Sequence, residues 1–375
     1  MATSDLLRSR TARWLVPVAV VATITAGVGL TSAVANADPS LPSRTAAELL
    51  VSIAEAKGQP FSGTVEQNAD LGIPALPGAS STSLSWQSLI TGSHTARVWV
   101  ASPSRVRLSL VGDMAESDVV RNGRDVWVWS SKENTVSHAT LPARSASEPD
   151  ATDATPPVDP LTAATRALAA IDPTTAVTVS GTSRVAGRPV YELVLAPRDD
   201  ASLVGQVRLA IDSETSMPLR VQVFARGASD PAFETAFSSI TFATPDSSVF
   251  DFTPPAGATV TETALPLGSM TKPSGTGADA GTDQPRPTVV GTGWTAVAVI
   301  PGAAAALAQA ENSSDTTSST SGALLQATTP VSGSYGSGRL LETALVTVLL
   351  LDDGRMFVGA VTPERLEQVA ASTPR

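Results

Sequence analysis

No cysteine occurs among the 375 residues, histidine occurs twice, and aromatic residues make up 4% of the chain. Each shortage excludes a chemistry. Without cysteine there are no disulfides, no thiolate metal sites, no cysteine nucleophile and no acylated cysteine of the bacterial lipoprotein kind. His94 and His138 stand isolated among strand and turn residues and read as plain surface histidines, not as bases or ligands. Basic residues are also scarce: 25 Lys and Arg against 35 Asp and Glu give a net charge of -10 and a pI of about 4.8. That balance opposes nucleic acid and anionic lipid surfaces as partners, since both are polyanions. The glycine clusters "GTG" at Gly291 and "GSYGSG" at Gly333 do not follow a strand and open a helix, so they read as flexible loops and not as phosphate cradles. Asp199-Asp200 and Asp352-Asp353 fall in turns, where carboxylates make turn hydrogen bonds. The reading is a protein without catalytic residues, metal or cofactor.

What the chain does have is apolar content, 42% of residues, which excludes disorder as a description of the whole. The one long apolar run is N-terminal. Arg8, Arg10 and Arg13 precede it, and Ala35 to Ala37 form a small-x-small signal-peptidase pattern, so residues 1–37 read as a signal peptide or an N-terminal membrane anchor. The run from Trp14 to Ala35 is about long enough to span a bilayer, and both alternatives stay open. Either places the remainder outside the cytoplasmic membrane, in the cell envelope. Cleavage would start the mature chain at Asp38 and leave a formal charge of about -12.

Beyond the leader the pattern runs helix, strands, helix, strands. Thr45 and Glu48 have capping-box spacing, with Ala46, Leu49, Leu50 and Ile53 on one face, predicting a helix over 45–57. Strand-like segments follow at 61–70, 82–90, 94–102 and 104–112. "VVRNGRDVWVW" predicts a hairpin with a type I′ turn at Asn122-Gly123. Its second strand puts Trp127 and Trp129 on one face and Val126 and Val128 on the other, so the strand is either sandwiched between layers or borders a cavity. Asp159 and Pro160 open a second short helix over 160–171. A hairpin then alternates cleanly: Val207, Leu209 and Ile211 share a face that should meet Leu219, Val221 and Val223, while Arg208, Arg220 and Gln222 point away. Periodicity is lost over 263–288, a Pro/Gly/Thr-rich linker between a main domain (38–262) and a small C-terminal α/β module (289–375). Within the module the pattern predicts a strand at 294–300, a short helix at 302–310, a Ser/Thr loop at 311–322, a hairpin turning at Asp353-Gly354 and a final helix at 362–372.

The succession "HTARVWVASPSRVRLSL", "NGRDVWVWSSKENTVSH", "YELVLAPRD", "VRLAIDSETSMPLRVQVF" and "FSSITFATPDSSVFDFTPPAG" resembles the LolA-like group, which covers periplasmic lipoprotein carriers and the lipid-sensing N-terminal domain of RseB-type regulators. The resemblance spans roughly 45–262 and rests on five segments in order. It implies a mainly β, α+β fold in which a curved antiparallel sheet forms an unclosed half-barrel and helices cover the concave face over an apolar cavity for acyl chains. On that reading Val207, Leu209, Ile211, Leu219, Val221, Val223, Trp127 and Trp129 are the ligand-binding residues. Two functions are compatible with it: a carrier of lipid or acylated lipoprotein, and an envelope-stress sensor that binds a membrane regulatory protein. The cytoplasmic membrane is a further partner if the N-terminal segment is retained.

Overall fold

The computed structural model describes residues 41–56, 58–72, 92–112, 115–141, 174–262, 287–303 and 327–374. The leader, the expected strand at 82–90, the helix at 160–171, nearly all of the linker and the module's helix and Ser/Thr loop at 304–322 lie outside these residues.

Helix α1 (Ala46–Glu55) begins where the capping box predicts. The Glu48 N–H donates to Thr45 Oγ1 and the Thr45 N–H donates to Glu48 Oε2, satisfying two of the backbone donors a helix start leaves open. Leu49 and Ile53 are buried and Val51 is exposed, so one stripe of the helix carries its docking. Burying a leucine and an isoleucine stabilises by about 1.5–3 kcal/mol each.

Twelve strands form one sheet: β1 (Phe61–Ala69), β2 (Gly92–Ser102), β3 (Arg105–Val111), β4 (Glu116–Asn122), β5 (Asp125–Ser130), β6 (Thr135–Thr140), β7 (Thr175–Val185), β8 (Arg188–Pro197), β9 (Val204–Asp212), β10 (Pro218–Ala225), β11 (Pro231–Thr241) and β12 (Thr259–Glu262). Their spatial order is β12-β6-β5-β4-β3-β2-β1-β11-β10-β9-β8-β7, so the sheet is two antiparallel meanders joined by the pairing of β1 with β11. It is unclosed and curved. β7 and β11, with three strands between them in the order, touch. A buried cluster joins Phe61, Val65, Ala96, Val98, Leu108, Leu110 and Phe237 to Val185, Val190, Ala210, Met217 and Leu219 from the far strands. One pair departs from the antiparallel expectation: β12 adds to β6 in parallel at the open edge, because the chain crosses over through a 3-10 turn (Ser247–Phe250) before reaching it.

The β4–β5 hairpin corrects the turn assignment. Asn122 pairs with Asp125, so the two loop residues are Gly123 and Arg124. Only Gly123 takes a positive φ, +65°, which fits glycine at the first loop position of a II′-like turn and not the two positive angles of type I′.

A second, six-stranded antiparallel sheet follows: β13 (Thr288–Val290), β14 (Val297–Ile300), β15 (Thr329–Gly333), β16 (Gly336–Glu342), β17 (Thr347–Leu351) and β18 (Met356–Gly359), ordered β13-β14-β18-β17-β16-β15. Helix α2 (Pro363–Ser372) packs Leu366, Val369 and Ala370 against it. The segment read as a flexible loop at Gly333 is a tight hairpin that buries Tyr335. The β17–β18 turn has three residues, with Leu351 and Arg355 bonded and Gly354 at φ +90°, one residue longer than the sequence suggested.

Candidate apolar binding face

Ladder pairing shows which side chains share a face. The row Leu193, Leu209, Val221, Thr235, Gln67 and His94 crosses six strands, and beside it runs Leu195, Val207, Val223, Phe233 and Ala69. This is the inner face. Its left half is apolar, and Leu193, Leu209 and Phe233 are fully buried. Leu49 and Ile53 of α1 join the same cluster and cover it. The approach to α1 is fastened to the sheet as well: the Tyr191 hydroxyl donates to the Pro42 carbonyl at 2.9 Å, and the Arg44 guanidinium lies 5.4 Å from the Tyr191 ring.

The second sheet adds to this cover. Trp294, Leu345 and Ala360 belong to the cluster, and the Trp294 indole N–H donates to Thr175 Oγ1 at 2.8 Å. Backbone bonds hold this contact: Ala344 N–H to the Leu71 carbonyl, Leu203 N–H to Ala360, and Thr362 N–H to Ala201. "GTG" at Gly291 thus leads into a 3-10 turn (Gly293–Thr295) that carries Trp294 onto the main sheet, which its reading as flexible loop missed.

Of the eight residues expected to bind ligand, the structure brings five together: Val207, Leu209, Ile211, Val221 and Val223 lie in the inner-face cluster. Leu219 does not join them. A bulge between Pro218 and Arg220 offsets β10 against β9, and Leu219 packs with the second cluster instead. Trp127 and Trp129 are on the opposite face altogether. Ladder pairing puts Val128 with Val119 and Leu108 on the inner side, so the alternate residues, both tryptophans, point outward. Trp127 is covered there by His138, stacked at 3.8 Å, and by Phe252 at 5.5 Å.

Neither histidine is a plain surface residue. His94 is buried on the inner face beside Gln67, and His138 bridges Asp125 and Glu262. Buried polar side chains at the middle of the inner face had no signal in the strand pattern, which shows alternation but not depth.

Charged side chains pair on the outer face beside apolar residues. Arg188 donates to both oxygens of Asp212 and to Glu214, and Asp212 also accepts from the Thr215 backbone and hydroxyl. Burial pushes the Asp212 carboxyl up, but these donors outweigh it and hold it below the usual range. At Asp118 burial wins over the Arg107 guanidinium 2.5 Å away, and the carboxyl sits above its usual range. Asp199 accepts from the Ala201 N–H and Asp353 from the Arg355 N–H, the turn role expected of these acids, whereas Asp200 pairs with the distant Arg226. Among the described residues no group of three or more His, Asp or Glu could hold a metal ion, and no helix is long and apolar enough to cross a membrane.

The main sheet is thus curved and unclosed, with an apolar inner face covered by α1 and the second sheet. The family described as "Predicted periplasmic protein (DUF2092)" matches residues 80–262, in agreement with an exported chain and with the segments that resemble the LolA-like group. No curated protein matches the chain by sequence. Among solved structures, a chain of the Pseudomonas aeruginosa MucA/MucB complex is similar at 16% identity, with 87% of this chain and 96% of that one covered and a TM-score of 0.42. A LolA superfamily protein from Nitrosomonas europaea is similar at 12% identity, covering 56% of this chain and 99% of that one, TM-score 0.22. A putative outer membrane lipoprotein-sorting protein domain from Vibrio parahaemolyticus is similar at 12% identity, covering 55% and 97%, TM-score 0.19.

Proposed function

We propose that the protein is an exported, non-enzymatic binding protein whose inner sheet face takes the acyl chain of a lipid or lipoprotein when α1 moves aside. The supporting observation is the size of the lid. Two buried side chains of α1, Leu49 and Ile53, enter the Leu193–Leu209–Val221 cluster, and removing them costs about 3–6 kcal/mol of apolar burial. An acyl chain gains about 0.8 kcal/mol per buried methylene, so about eight methylenes offset the whole loss, and common acyl chains exceed that. No catalytic residue is needed. Organic extraction of natively purified protein followed by mass spectrometry tests this: acyl lipid near one per chain supports a carrier.

A second reading is favoured by the C-terminal sheet. Trp294, Leu345 and Ala360 occupy part of the apolar face, and backbone hydrogen bonds fix them there, which suits a regulatory module more than a carrier that loads and unloads freely. In that case the extracted protein is empty and it binds a membrane regulatory protein in defined stoichiometry. MucB, to which the chain is similar, was crystallised in complex with MucA.

A further inference from the structure

We propose that His138 is a pH-operated latch: as an imidazolium it clamps β12 to the open edge of the twelve-stranded sheet between Glu262 and Asp125, and on losing its proton it releases that edge. The geometry demands two donors. Nδ1 lies 2.9 Å and 3.0 Å from the two Glu262 oxygens, and Nε2 lies 3.2 Å from Asp125 Oδ1. A neutral imidazole has one N–H and would turn a lone pair toward a carboxylate on its other side. The ring stays in place because it stacks on Trp127, with an interplanar angle of 17°.

The charged groups around the imidazole are Asp125 on β5 and Glu262 on β12, and among the described residues His138 is the cation shown paired with either. Asp125 also accepts from the Thr140 hydroxyl. Further out, Asp118 is engaged by Arg107, Asp251 by Asn122, and Arg124 donates to the Leu141 carbonyl. These are committed elsewhere. The Glu262 hydrogen bond is the largest cause of a raised His138 pKa, burial opposes it, and Asp125 adds to it.

β12 has little else to hold it. All four of its residues are exposed, Val260 to 47%, and besides the parallel ladder its approach is held by Thr259 N–H on the Asn134 carbonyl and Asn134 Nδ2 on the Gly257 carbonyl. Parallel pairing at a sheet edge by four exposed residues is weak, so a clamp across β5, β6 and β12 carries a large share of the docking. The sign follows from the raised pKa. The clamp is complete below the ordinary imidazole pKa of about 6.5 and is lost as pH rises through the folded-state value, so acid closes the edge and alkali opens it. A compartment outside the cytoplasmic membrane is exposed to such changes.

The protein contains only two histidines, which makes an imidazole nitrogen NMR titration of the exported chain direct. His138 should titrate above about 6.5, and Glu262→Gln should bring its midpoint down. Hydrogen exchange over residues 259–262, corrected for intrinsic rates, should show about tenfold or greater loss of protection from pH 5 to pH 9 in the wild type and none of that pH dependence in His138→Gln. A wild-type His138 midpoint at or below the ordinary value overturns the proposal without any variant. Equal protection of 259–262 at both pH values, or the full pH dependence surviving in His138→Gln, overturns it as well.

Discussion

Across β8–β10 Leu193, Leu209 and Val221 face inward, while outward Glu192 pairs with Arg220, Gln222 donates to Glu234 and the Arg208 guanidinium lies over the Phe224 ring. Across β4–β6 Val119 and Val128 face inward, while the outward face carries Val120, Trp127 and Trp129 alongside Asp118 and His138. The first region buries its inner face under α1 and the second sheet, and its outward side buries Val190 and Ala210 beside the carboxylates of Glu192 and Asp212. The second is half-buried along β5, its outer side lying against the chain that returns through Phe250 and Phe252 to β12. The strand that is apolar on both faces, β5, lies where the chain doubles back over the sheet, and its tryptophans point to the face opposite α1.

This difference sets the order of mutational effects. Phe233→Ala removes a fully buried ring from the inner cluster and should cost about 3–5 kcal/mol, read as a fall in the denaturation midpoint. Asp212→Asn and Asp118→Asn compare two buried carboxylates of opposite tendency. Asp212, stabilised as an anion by Arg188 and Thr215, should lose about 3 kcal/mol at neutral pH. Its contribution is present above the ordinary aspartate pKa and disappears as pH falls through the lower folded value. Asp118, already penalised as an anion by burial, should lose under about 1 kcal/mol. Equal losses at the two sites would erase the contrast. Thr45→Ala opens the capping box and should cost about 1 kcal/mol, with faster hydrogen exchange confined to α1 if that helix is a separable lid. Smallest of all is Asp200→Asn: its side chain is almost fully exposed, and no measurable change in midpoint is expected.

Much of this was legible in the residues, for identifiable reasons. The capping box of α1 is a local signal, and the β9–β10 hairpin alternates without interruption through Val207, Leu209 and Ile211, so both stand where the pattern puts them. The bulge at Leu219 was hidden because alternation continues unbroken in sequence while the pairing partner slips by one residue. The loop of the β4–β5 hairpin was misplaced because Asn-Gly suits two turn types and only cross-strand register separates them. Burial of His94 and the docking of Trp294 on Thr175 depend on segments distant in the chain, 119 residues apart in the second case, and leave no local trace. The inner-face residues were grouped by period two, whereas the tryptophans were assigned to the same site through the resemblance to the LolA-like group, and alternation alone does not say which face of a strand turns inward.

The binding account is tested most directly by photolabelling the purified protein with a diazirine-bearing acyl lipid and mapping the crosslinked peptides. The account predicts crosslinks to inner-face peptides that contain Leu193, Leu209, Val221 and Phe233 together with α1, suppressed by excess unlabelled lipid of the same chain length. Absence of saturable labelling, or labelling confined to the outward face around Trp127 and Trp129, would contradict it.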